Sequence, residues 1–139
     1  MAAWRDRFRR WGWRDYATVG ESFVVAFIVA IALRLVSLLT IIRAIEWAFR
    51  SPRHIKPAAI DFDRLARFAA APYRLFSLDG TCLRESLVLN VLLRRRGVPA
   101  ALCIGVRREA GLTAHAWVDI PGIPSEIGLA FLELRGWSD

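Results

Sequence analysis

The pattern of hydrophobic and polar positions changes twice along the chain. Residues 1–20 mix arginine with tryptophan, residues 21–50 are strongly apolar, and residues 51–57 form a linker bounded by prolines. From Asp61 onward, short amphipathic helical patterns are followed by segments with the spacing of strands. We therefore expect a region of apolar helices followed by a compact core of helices and strands.

The apolar segment raises the question of membrane insertion. Between Phe23 and Ile42 the single charged residue is Arg34, and the favourable transfer of so many aliphatic side chains can outweigh the cost of one arginine. The uninterrupted apolar run, Phe23–Leu33, is nevertheless shorter than a bilayer span requires. Length alone therefore favours a helix that packs on protein.

Polar residues at every third position follow that run, namely Arg34, Ser37, Thr40 and Arg43. This spacing predicts the polar stripe of one amphipathic helix. We expect the helix to pack on the core or to face a partner. Membrane contact is an alternative, and so is a signal peptide ending at Ala30–Ala32, because a basic region precedes the apolar stretch.

Two helices are predicted after the linker. The first covers Asp61–Ala71, with Asp61 as its N-cap and Pro72 directly after its end. The second covers Thr81–Arg96 and finishes in three arginines followed by Gly97. Cations in the last turn suit the helix dipole, and glycine suits the left-handed cap that follows a helix.

Three strands are predicted in the last third of the chain. They cover Ala100–Val106, Ala114–Ile120 and Gly128–Leu134, separated by a loop at 107–113 and by a turn at Pro121-Gly122. Helices followed by an antiparallel sheet make the predicted fold class α+β.

Composition and charge narrow the class of protein. Hydrophobic residues make up 55% of the chain and mean hydropathy is +0.34, which excludes intrinsic disorder. At 139 residues there is room for one domain, divided here into a helical region over 1–60 and a core over 61–139. The net charge of +7 comes from scattered basic residues, so it does not predict nucleic-acid binding.

Cysteine and histidine are the candidate chemical groups. Two cysteines exclude a disulfide framework, and no zinc-ligand spacing is present, so we predict neither a metal site nor a cofactor. Cys82 begins a helix, where the dipole favours the thiolate but is too weak to activate it without a histidine. His54 lies in the linker, whereas His115 lies on a predicted strand. Cys103 alternates with apolar strand residues and is predicted to be core.

Four sequence blocks carry a family resemblance. They are Thr81–Leu89 (TCLRESLVL), Leu92–Ala100 (LLRRRGVPA), Ile104–Arg107 (IGVR) and Ala114–Asp119 (AHAWVD). In this order they resemble the transglutaminase-like leader peptidases of lasso-peptide biosynthesis, the protease part of the split B protein. The resemblance covers roughly residues 75–135.

The resemblance implies a papain-like core in which the nucleophile begins a helix packed on an antiparallel sheet. Cys82 would be the nucleophile and His115 its base, in a Cys-His-acid triad of a cysteine peptidase. The implied substrate is a precursor peptide, held by a separate leader-recognition protein and passed to a lasso cyclase. The apolar N-terminal helices would then be a docking surface for these partners, in a cytoplasmic protein. Association with the membrane is the alternative.

The third member of the triad departs from the family pattern. The family usually has an aspartate beyond its histidine, but the corresponding interval, residues 126–132, contains none. Glu126 is the predicted acid because it aligns best, and a glutamate can orient a histidine. Glu133 and Asp119 are alternatives, although Asp119 lies about 13 Å along the same strand from His115. The doubtful acid leaves open a catalytically inactive transglutaminase-like module for binding or membrane attachment.

Overall fold

A computed structural model describes residues 10–50, 60–75, 82–123 and 132–133. The described residues form four helices and a three-stranded antiparallel sheet, which confirms the α+β class. In chain order the elements are α1 (Trp13–Leu35), α2 (Leu38–Ala48), α3 (Phe62–Leu75), α4 (Cys82–Arg95), β1 (Ala101–Arg108), β2 (Leu112–Asp119) and β3 (Leu132–Glu133).

The apolar segment forms two helices instead of one. Val36 has an extended backbone after α1, and Ser37 is the N-cap of α2, where its Oγ accepts the Thr40 N–H at 3.4 Å. The predicted polar stripe from Arg34 to Arg43 is therefore wrong. Serine and threonine hydroxyls that bond to the backbone favour a helix start over a helix interior.

The helix α3 begins as predicted but ends later. Asp61 Oδ1 accepts the Arg64 N–H at 3.1 Å, which confirms the N-cap. Pro72 lies inside the helix, which continues to Leu75, so the predicted end at Ala71 is wrong. Proline lacks the N–H that would bond one turn back, yet Pro72 is buried on the packed face of α3 and the helix continues past it.

The helix α4 ends where the sequence predicts. Gly97 has a φ of 83°, and its N–H donates to the Arg94 carbonyl at 3.0 Å. The Val98 N–H donates to the Leu93 carbonyl at 3.1 Å. These two bonds satisfy carbonyls at the helix end through a left-handed cap that glycine adopts without strain.

The strand β1 lies at the centre of the sheet, between β2 and β3. The β1–β2 hairpin is tighter than the predicted loop at 107–113, because Ala110 (φ 47°) and Gly111 (φ 143°) turn the chain within a few residues. The predicted turn at Pro121-Gly122 is confirmed by a φ of 87° at Gly122. β3 falls within the third predicted strand, the rest of which lies outside the described residues, as does the linker at 51–57.

The hydrophobic core is built around α4, which contacts α1, α3 and β2. Its fully buried side chains include Leu87, Val88 and Leu92. Ion pairs also join the helices at their edges. Asp15 of α1 pairs with Arg64 of α3. Glu21 of α1 pairs with Arg95 and Arg96 at the end of α4. Helices α1 and α3 and strand β2 thus pack around α4, whose first residue is Cys82.

Candidate active site

Cys82 is the first residue of α4 and is half-buried. Its Sγ accepts a hydrogen bond from the backbone N–H of Ala116 in β2, at 3.4 Å. A sulfur that accepts an N–H bond at a helix N-terminus is well placed to carry negative charge. The structure therefore brings the predicted nucleophile against the predicted histidine strand.

A second hydrogen bond holds the same two elements together. The Ser86 Oγ is buried and donates to the Ala116 carbonyl at 3.0 Å. Cys82 and Ser86 are four residues apart, so they share one face of α4. Together their side chains bond to both the N–H and the carbonyl of Ala116. These groups are available because β2 is an edge strand in the described sheet.

Sequence reasoning did not identify Ser86 as a residue of the site. The signal that was present is its spacing of one helical turn from Cys82, which puts a hydroxyl on the nucleophile's face of the helix. That spacing alone does not reveal an acceptor, since Ala116 is 30 residues further along the chain.

His115 precedes Ala116 and is half-buried in β2. Its ring stacks on that of Trp117, with centroids 6.4 Å apart and an interplanar angle of 17°. His115 and Cys82 both line one cleft of about 310 Å³. The structure thus brings together the two residues that the sequence predicts as nucleophile and base.

The cleft lies between α3, α4 and β2 and is mainly apolar. Its charged lining residues are Glu85 and Asp119, in a chain whose net charge is +7. The remaining lining residues are Phe62, Ala66, Ala69, Ser86, Leu89, Ala116, Trp117, Val118, Ile120 and Ile123. A cleft of this form can hold a short peptide segment beside the thiol.

The candidate acids lie in different positions. Glu126 lies outside the described residues. Asp119 is exposed at the end of β2 and lines the cleft. Glu133 is in register with Gly105, which on its other side is in register with His115. His115, Gly105 and Glu133 therefore lie in one row across the three strands, so the Cα atoms of His115 and Glu133 are about 10 Å apart.

The second cysteine, Cys103, is described by the structure, whereas the second histidine, His54, is not. Cys103 is 7% exposed, which confirms the prediction that it belongs to the core. His54 lies outside the described residues. Within the part of the chain that is described, no group of three or more histidine, cysteine or acidic residues could hold a metal ion.

Residues 23–128 match the sequence model of the transglutaminase-like superfamily, a stretch that covers more than half of the chain. The protein belongs to the transglutaminase-like superfamily. No curated protein and no solved structure matches the chain. The matched region of this transglutaminase-like domain includes Cys82, Ser86 and His115, and the superfamily includes cysteine peptidases.

Proposed function

We propose that this transglutaminase-like protein is a cysteine peptidase that removes the leader from a ribosomally synthesised lasso-peptide precursor. The observation that carries the peptidase proposal is the hydrogen bond from the Ala116 N–H to Cys82 Sγ, one residue from His115 and in the same cleft. The leader as substrate rests on the resemblance of the four blocks around these residues.

The proposed reaction has two steps that share one thiol. In the first, the Cys82 sulfur attacks the scissile carbonyl while His115 takes up the thiol proton. A C–S bond forms, and the C–N bond breaks as His115 protonates the leaving amine. In the second, His115 takes a proton from water as the water oxygen attacks the thioester carbonyl. The C–S bond then breaks, the leader leaves as a carboxylic acid, and His115 returns the proton to the Cys82 sulfur.

An acidic residue is expected to orient His115 for these proton transfers. We propose Glu126 for this role because its alignment with the family's aspartate supports it. The register of Glu133 with His115 across Gly105 supports the alternative, since glycine has no side chain to separate the two.

The partners follow from the same resemblance. We propose that a separate recognition protein holds the leader and delivers the scissile bond to the cleft. A lasso cyclase would then close the ring on the released core peptide. We propose the cytoplasm as the compartment, because the precursor is made there by the ribosome.

Reconstituted cleavage tests the proposal. The full chain is mixed with the precursor and the recognition protein, and released leader is followed by mass spectrometry. Cys82→Ala is expected to abolish cleavage, whereas Cys103→Ala, at the buried core cysteine, keeps the wild-type reaction. Cleavage by Cys82→Ala at the wild-type rate would rule out the proposed nucleophile.

A further inference from the structure

The outer face of α1 is apolar and uncovered. From Ala17 to Ile31, no exposed position of the helix carries a polar side chain; these positions are Ala17, Gly20, Val24, Phe27, Ile28 and Ile31. Phe27 is 67% exposed, and Leu35, one turn beyond the end of this series, is 76% exposed. Apolar patches of this extent are uncommon on soluble monomers and mark interaction surfaces.

The opposite face of the same helix is packed on the core. Val25, Ala26 and Val29 are buried there. The helix is therefore apolar around most of its circumference, while the protein covers only one side of it. A helix that is apolar all round is expected to be enclosed by protein or lipid. The outer face of α1 is exposed, so we expect another molecule to cover it.

Charged residues of α1 are divided between the two faces. Glu21 is turned toward the end of α4, where its carboxylate pairs with Arg95 at 2.8 Å and Arg96 at 3.1 Å. Asp15 likewise pairs with Arg64. The arginines of the helix, Arg14 and Arg34, are both exposed. The acidic groups are thus neutralised against the protein, and the outward-facing charge is positive.

Aromatic residues stand at the N-terminal end of the outer face. Trp13 is 76% exposed and Tyr16 is 53% exposed. The guanidinium of Arg14 lies over the Trp13 ring, 5.6 Å from its centroid. Tryptophan and tyrosine are enriched at the boundary between lipid and water, and arginine there binds anionic headgroups.

We propose that the outer face of α1 lies in the surface of an anionic lipid bilayer, with the helix parallel to the membrane plane. Aliphatic side chains would enter the boundary between headgroups and acyl chains, with the exposed arginines on anionic headgroups. From Trp13 to Leu35 the helix offers about 33 Å of contact at 1.5 Å per residue.

Two observations favour this arrangement over others. By length and composition α1 could cross a bilayer, but crossing would separate Glu21 from Arg95 and Arg96 and strip α1 from the core. The second observation is that Trp13, Tyr16 and the exposed arginines border the aliphatic face, which is the distribution typical of a helix at the boundary between lipid and water. The inference does not depend on the proposed peptidase activity.

Vesicle co-sedimentation of the full chain tests the proposal. The vesicles contain either phosphatidylcholine alone or phosphatidylcholine with phosphatidylglycerol. We expect the protein to sediment with the anionic vesicles and to dissociate as salt is raised. The double variant Phe27→Gln/Ile31→Gln should bind about tenfold more weakly or worse, while Leu112→Gln, at a 76% exposed leucine of β2, should bind as wild type.

A second pair of variants examines the charge. Arg34→Gln should weaken binding to anionic vesicles about fivefold, which corresponds to about 1 kcal/mol per arginine at the surface. Arg108→Gln, at an exposed arginine at the end of β1, is the matched control. All five substituted positions are exposed, so thermal unfolding should change little. Cys82→Ala should bind vesicles as wild type, which keeps this test separate from that of the peptidase.

Several outcomes would overturn the proposal. One is the absence of binding to anionic vesicles, and another is equal binding by wild type and Phe27→Gln/Ile31→Gln. A dimer that the double variant dissociates would show that a second copy covers the outer face. Loss of binding to the recognition protein in the double variant, without vesicle binding, would show a protein partner. Resistance to alkaline carbonate extraction would show a membrane span.

Discussion

The backbone N–H of Ala116 donates a hydrogen bond to the Sγ of Cys82 across 3.4 Å, joining the start of α4 to strand β2, 34 residues further along the chain. The residue before the donor is His115, so this contact brings the histidine strand beside the thiol. Local sequence makes each element, whereas this bond and the Ser86–Ala116 bond are among the tertiary contacts that hold them together.

Removal of the Ser86 hydroxyl should disturb the site without touching the thiol. Ser86→Ala leaves the Ala116 carbonyl without its buried donor, at a cost of about 1–3 kcal/mol in unfolding free energy. We expect cleavage to slow mainly through kcat, because the reacting groups lose their alignment while the substrate cleft persists.

The matched control for Ser86 is Ser22→Ala. Ser22 is also buried, but its Oγ donates to the Thr18 carbonyl within α1. We expect the control to leave kcat unchanged, whatever its effect on thermal stability. Equal kcat values for Ser86→Ala and wild type would show that the Ser86 bond has no part in aligning the site.

Substitution of the candidate acids should identify the residue that orients His115. We expect Glu126→Gln to lower kcat for leader cleavage by about 10²-fold or more, because the imidazole loses its orienting partner. Glu133→Gln and Asp119→Asn should cost far less. If Glu133→Gln produces the large loss instead, the row that joins it to His115 through Gly105 is the functional one.

Thiol alkylation should separate an active peptidase from an inactive module of the same fold. Iodoacetamide should modify Cys82 first, since Cys103 is buried in the native sheet. His115→Ala should slow alkylation of Cys82, because the histidine favours the reactive thiolate. Peptide mapping by mass spectrometry measures both rates. A Cys82 that reacts no faster than a model thiol, with or without His115, would favour the inactive module.

The buried hydroxyl of Tyr73 should make the protein less stable at alkaline pH. Burial raises the pKa of its hydroxyl above 10.0, while Arg84 lowers it and Glu85 raises it by smaller amounts. Because the folded-state pKa is the higher one, its contribution to stability is complete below about pH 10 and is lost as pH rises through the folded-state pKa.

Tyr73→Phe should therefore move the alkaline unfolding midpoint upward. Stability at neutral pH should be kept, because the Tyr73 hydroxyl has no hydrogen-bond partner among the described residues. Tyr16→Phe, at the exposed tyrosine of α1, should leave the midpoint unchanged. Circular dichroism as a function of pH measures all three proteins, and an unshifted midpoint in Tyr73→Phe would contradict the assignment.

Local chemistry in the sequence was sufficient for some elements and not for others. The ends of α4 and the Asp61 N-cap were predictable, since capping depends on neighbouring residues. The break at Ser37 was not predictable, because the polar residues of this apolar segment recur every third position, as they would in one continuous helix. The end of α3 was misjudged because packing can carry a helix past Pro72.

Part of the candidate site was likewise predictable from the sequence, and part was not. Cys82 and His115 were predicted from the blocks that resemble a known family, and the structure brings them to one cleft. The Ser86–Ala116 bond was not predictable, because it depends on the tertiary packing of α4 against the edge of β2. The role of Glu126 stays a prediction.

Detection of the acyl-enzyme tests the central claim most directly. The full chain, the precursor and the recognition protein are mixed and quenched with acid during cleavage, and the digest is analysed by mass spectrometry. We predict the leader acyl group on the peptide that contains Cys82, and its absence in Cys82→Ala. An acyl group on another residue, or leader release by Cys82→Ala at the wild-type rate, would contradict the account.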